Sequence, residues 1–111
     1  MYSLEYIDLN LYENNKNYPS AWDCYRLLFN NERIENDDEY VLIICVDNIT
    51  KFISPAVLHI VPLFTGSDSS LKEYCYIYGI SGNDIDKYKD VLESNKFSKF
   101  LAELQSILFN N

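Results

Sequence analysis

The run Val41-Leu42-Ile43-Ile44-Cys45-Val46 constrains this chain more than any other stretch. It holds six apolar residues in a row, four of them β-branched, with no polar position at which a strand could meet water. The length suits a strand and falls far short of the roughly 20 residues that cross a bilayer. A strand that is apolar on both faces must be covered on both. Residues 40–46 are therefore predicted to form a central strand, and the rest of the chain has to supply two covers.

The neighbouring segments suggest what those covers are. Residues 2–12 alternate with a change of phase: Tyr2, Leu4 and Tyr6 share one face, then Ile7, Leu9 and Leu11 the other. A strand with a bulge near Tyr6-Ile7 accounts for both halves. After a polar loop, Ser20 is placed to cap a helix with Asp23 in its first turn, and Ala21, Cys24, Tyr25, Leu28 and Phe29 keep helical spacing up to Asn30-Asn31. Residues 49–54 are ambiguous, since Ile49, Phe52 and Ile53 allow a short helix that Pro55 limits. Residues 56–64 read as a strand whose far end Pro62 pushes to an edge or bulge. Thr65-Gly66-Ser67-Asp68-Ser69-Ser70 is a turn, and residues 71–80 are a second strand, so the two make a hairpin. Ile85, Tyr88, Val91 and Leu92 mark one amphipathic helix; Phe97, Phe100, Leu101, Leu104, Ile107 and Leu108 mark another. The expected fold is α+β, a single layer of about four mostly antiparallel strands covered by about three helices, in one domain over residues 1–111.

Few residues are equipped for chemistry. His59 is the single histidine, on the strand face that also carries Val57 and Val61. A Cys45–His59–Asp47 set can be written, but no nucleophile signature surrounds any cysteine or serine. The three cysteines, Cys24, Cys45 and Cys75, are odd in number and sit in apolar stretches, which fits free buried thiols in a reducing cytoplasm. No metal-ligand spacing occurs, the acids around Asp84 and Asp86 lack the order of a calcium loop, and three glycines make no phosphate cradle. The N-terminus carries Glu5 early and no basic region, unlike a signal peptide. The expectation is a cytoplasmic protein that is not an enzyme and uses no cofactor or metal.

Charge remains. The chain holds 17 acids and nine bases, a net charge of −8. That balance repels phosphate backbones and disfavours nucleic acid as a partner. Residues 1–39 carry nine acids against three bases, and five of those acids lie in residues 32–39. Glu32, Glu35, Asp37, Asp38 and Glu39, running into Tyr40, are the candidate partner-binding residues, with Asp84, Asp86 and Asp90 as a second set. Clustered carboxylates speed association with a basic partner, and a tyrosine adds rigid contact area.

In size, charge and element order, and on these acidic residues, the chain resembles the small acidic immunity proteins of bacterial toxin systems. Those that protect against contact-dependent growth-inhibition toxins, and the barstar type of ribonuclease inhibitor, are the nearest in profile. The resemblance implies an inhibitor that binds a cognate basic toxin domain, usually a nuclease, and covers its active site, itself a monomer or weak dimer without membrane contact. Two other readings stay open: a phage-encoded inhibitor or nucleic-acid mimic aimed at a host defence nuclease, and a homo-oligomer joined through Tyr74, Tyr76 and Tyr78.

Overall fold

The structure is a computed structural model that describes residues 1–9, 13–14, 22–34, 40–64, 71–80 and 82–109. Seven strands precede two helices: β1 (Tyr2–Ile7), β2 (Glu13–Asn14), β3 (Trp22–Phe29), β4 (Glu32–Arg33), β5 (Tyr40–Asp47), β6 (Phe52–Phe64), β7 (Leu71–Gly79), α1 (Gly82–Leu92) and α2 (Asn95–Phe109). One sheet takes them all in the order β1-β3-β5-β6-β7-β2, with β4 beside β3. Every pairing is antiparallel except the short parallel one of β2 with β7.

β5 is central, as its composition requires, and its side chains divide between two cores. Val41, Ile43 and Cys45 join Cys24, Leu58 and Cys75 on one face; Leu42, Ile44 and Val46 join Leu27 and Val57 on the other. The second face is covered by Tyr88 of α1 and by Phe97, Phe100, Leu101 and Leu104 of α2. Among the described residues, no helix side chain belongs to the first. Sheet order explains how that face is covered. β1 and β2 lie on opposite flanks, so a flat sheet would hold them about 24 Å apart, five spacings of about 4.8 Å. Six residue steps from Ile7 to Glu13 reach only about 22 Å at full stretch. The sheet must curl, and its inner face then packs against itself, with Ile7 and Leu9 from the N-terminal crossing in that core.

This corrects the expected fold. Among the described residues there are seven strands rather than about four, and two helices rather than about three. The expected helix after Ser20 is β3. A strand buried on both faces sends Cys24 inward and Tyr25 and Leu27 outward, which imitates a helical stripe. Asp23 caps no helix; its Oδ2 accepts a hydrogen bond from the Asn48 side chain at 2.8 Å, while Ser20 lies outside the described residues. Asn30 and Asn31 do not end a helix either. Both have positive φ, 53° and 66°, and they form the two-residue turn between the paired Phe29 and Glu32, the type I′ signature of a tight hairpin.

β1 has no bulge. Its register with β3 runs unbroken from Tyr2↔Phe29 to Ile7↔Cys24. The change of phase arises because the strand begins beneath the helices, where Tyr2 and Leu4 pack, and ends at the inner core. The ambiguous stretch after β5 resolves as a hairpin turn. Asp47 Oδ1 accepts from the amides of Ile49 (2.9 Å) and Thr50 (3.3 Å), and Lys51, at φ 60°, donates its amide to the Asp47 carbonyl (2.8 Å). Strand β6 follows directly and pairs with β5 from Phe52 to His59. Pro62 lies beyond that pairing, where β6 is laddered to β7, so β6 runs on to Phe64.

Candidate binding face

Of the first acidic segment proposed from sequence, Glu32 is described, and it lines a cavity to which Val91 of α1, the helix of the second acidic set, also contributes. Tyr88 holds that helix on the sheet. It is buried, and its hydroxyl donates to the Tyr40 carbonyl at 3.2 Å, fixing α1 over the start of β5. The cavity, of about 270 Å³, is lined by Glu32, Arg33 and Ile34, by Tyr2 and Phe29, and by Val91 of α1. Glu32 is exposed at the head of β4. Asp86 and Asp90 are exposed on α1, one turn apart and on the side away from Tyr88. Glu93, also exposed, continues their row another turn. Sequence reasoning omitted Glu93, although its spacing of seven from Asp86 was readable.

The other proposed residues divide. Asp84 falls within α1, with no side-chain description. Glu35, Asp37, Asp38 and Glu39 lie outside the described residues. Tyr40 is half-buried and engaged: its ring stacks on His59, centroids 4.1 Å apart and 5° from parallel. Of the proposed oligomer surface, Tyr74 and Tyr76 are half-buried on β7, which pairs with β6 along its length and with β2 only at Tyr74 and Cys75, and the side chain of Tyr78 lies outside what the structure describes.

The geometry separates the residues of the notional catalytic set. Cys45 belongs to the inner core, whereas His59 stacks on Tyr40, which packs against the helix-covered core. Along the ladder Cys45 pairs with Ser54, five residues from His59, a distance of about 17 Å. Cys45 instead faces Cys24 directly across β3 and β5, with Sγ atoms 3.9 Å apart. That shared hydrogen bond draws the Cys24 thiol below its ordinary pKa, against burial and the nearby Asp23. It raises Cys45, with burial adding to the effect; burial also raises Cys75. All three are free thiols. Among the described residues no three His, Cys, Asp or Glu side chains are grouped to hold a metal ion, and no helix is long and apolar enough to cross a membrane.

These residues are equipped for recognition: exposed carboxylates along α1, an exposed glutamate lining a cavity, and Tyr40 and Tyr88 already fixed by stacking and a hydrogen bond. Comparison of the chain with protein-family models, with curated proteins and with solved structures finds no match in any of the three.

Proposed function

We propose that this protein is an immunity protein, one that binds and neutralises a cognate basic toxin domain of nuclease type through its acidic face. The observation that carries the reading is the localisation of charge. The first 39 residues hold a balance of −6 within a total of −8. Exposed Glu32 lines a cavity together with Val91 of α1, and the exposed Asp86, Asp90 and Glu93 on and just after that helix add a second acidic set from a distant segment. A phosphate-binding active site is the natural complement of such a surface, because carboxylates can occupy the positions that phosphates would. A protein in this role acts in the cytoplasm, where a nuclease toxin meets its target.

The test is rescue and rate. Co-expression with a toxin domain encoded beside this protein restores growth of cells that the toxin alone arrests. Stopped-flow association of the pair slows steeply from low to physiological salt. Reversal of Glu32, Asp86 and Asp90 to lysine slows association by about tenfold or more while leaving the fold intact. A rate insensitive to salt, or a triple reversal with unchanged affinity, overturns the reading.

A further inference from the structure

The inner face of the curled sheet leaves a space unfilled at one end. A cavity of about 180 Å³ lies among Trp22 of β3, Cys45 of β5, Ser54 and Ala56 of β6, and Ile77 and Gly79 of β7. Gly79 is directly opposite Ala56 in the ladder, and it continues the alternation of Cys75 and Ile77 along β7. Those three neighbours pack in the inner core, so position 79 faces the same way. A Cβ at this position would meet no atom within 4 Å. Nor does its φ lie in the left-handed region that favours glycine. Neither backbone shape nor crowding calls for a glycine here, and what the missing side chain provides is room. Glycine inside a strand weakens it, and it recurs where a ligand comes close to the backbone.

The lining decides what that room suits. Trp22, Ser54 and Ile77 are half-buried and Gly79 is exposed, so each has surface to offer, while Cys45 and Ala56 only close the floor. Among the described residues no charged side chain lines the cavity. An ion would lose hydration there with no opposite charge to replace it. Trp22 brings an indole ring whose N–H is shut off from solvent, which leaves stacking rather than hydrogen bonding as its contribution. The Ser54 hydroxyl donates to the Pro55 carbonyl at 3.2 Å, which uses its proton and leaves its oxygen as an acceptor. An apolar cavity of about 150 Å³ holds benzene, so the volume suits one small ring.

We propose that this cavity binds a small neutral aromatic molecule with one N–H or O–H donor, its ring held by Trp22 and Ile77 over Gly79 and its donor bonded to the Ser54 hydroxyl. The site shares no lining residue with the cavity at Glu32. Trp22 and Ile77 supply attraction, the uncharged lining supplies selectivity against ions, and Ser54 orients the ring.

Phenol is the probe, with benzoate, the same ring carrying a charge, as the comparison. Both are titrated into the intact protein at neutral pH and followed by calorimetry and by amide shifts. Phenol gives a saturable isotherm and shifts confined to residues around Trp22, Ser54 and Gly79; benzoate binds at least about tenfold more weakly. Gly79→Leu fills the cavity and weakens phenol by at least about tenfold, while far-ultraviolet circular dichroism stays that of the wild type. Gly79→Ala places one methyl in the same space and weakens phenol less, and it decides the matter if Gly79→Leu does not fold. Ser54→Ala removes the acceptor and weakens phenol several-fold without affecting benzene. The proposal is overturned if phenol does not saturate, if its shifts map elsewhere, if benzoate binds as well, or if phenol affinity is unchanged in the folded Gly79 variants or in Ser54→Ala.

Discussion

Asp47 closes β5 and organises the turn into β6 by accepting from two backbone amides, Ile49 and Thr50. Partial desolvation opposes its ionisation, but those amides and the Thr50 hydroxyl outweigh it, and the carboxyl lies below its ordinary value of 3.8. The sign of the pH effect follows. A carboxyl whose folded pKa is depressed stabilises the fold fully above its unfolded value and loses that contribution as pH falls through the lower, folded value. In Asp47→Asn the side chain keeps an acceptor for the turn and does not titrate. The variant should melt below the wild type near neutral pH, and the gap should narrow only below about pH 4; thermal melts across that range check it, and a gap constant down to pH 2 contradicts it. The Asn30-Asn31 turn makes a different demand, on backbone shape. Asn31, at φ 66°, accepts glycine with a change of at most about 0.5 kcal/mol in urea unfolding. Valine there costs about 1–2 kcal/mol, because its branched side chain disfavours the left-handed region.

Elements whose partners are local in sequence were legible. The antiparallel pairing of β6 with β7 follows from two apolar runs and a polar break, whose residues 65–70 lie outside the described ones, and α1 and α2 follow from their periodicity. β5 was legible for another reason: six apolar residues leave only a doubly covered strand. β3 was not. Its identity depends on pairing with β1 and β5, and no spacing within residues 21–29 distinguishes a strand with two buried faces from an amphipathic helix. The Asn-Asn turn after it was the local signal that could have decided, since positive φ at two successive residues closes hairpins and not helices. Of the candidate face, Glu32, Asp86 and Asp90 were identified by charge alone. The docking of α1 on β5 through Tyr88 and Tyr40 was hidden, because a hydrogen bond between residues 48 apart leaves no pattern in sequence. The two helices form the outer cover, which gives an element-scale expectation. Phe97 is 2% exposed beneath α2, so Phe97→Ala should cost about 3–5 kcal/mol by urea denaturation. Ile107 is 69% exposed on the same helix, and Ile107→Gln should stay within about 0.5 kcal/mol. Equal effects at the two positions would mean that α2 does not rest on the sheet through the Phe97 side.

At the scale of the molecule, one sheet is the shared wall of two cores. Curling encloses the first core, and the helices enclose the second, so neither is complete without β5 between them. Removing the helices would bare Leu42, Ile44 and Val46, and uncurling the sheet would bare Val41, Ile43 and Cys45, on the same eight-residue strand. Such coupling favours one cooperative transition over a helical layer that peels away first. The chain supplies a probe for each side. Its single tryptophan, Trp22, packs at the rim of the inner core, while the helical signal in far-ultraviolet circular dichroism reports the outer cover. Urea unfolding followed by tryptophan fluorescence and by circular dichroism should give one midpoint and one slope. Leu58→Ala in the inner core and Leu27→Ala in the outer core should each cost about 2–5 kcal/mol and move both signals together. Because these two side chains belong to cores on opposite sides of the sheet, their costs should add to within about 0.5 kcal/mol in the double variant. A helical signal lost at lower urea than the tryptophan signal, or a Leu27 variant that shifts only the helical transition, would show that β5 does not couple the two cores.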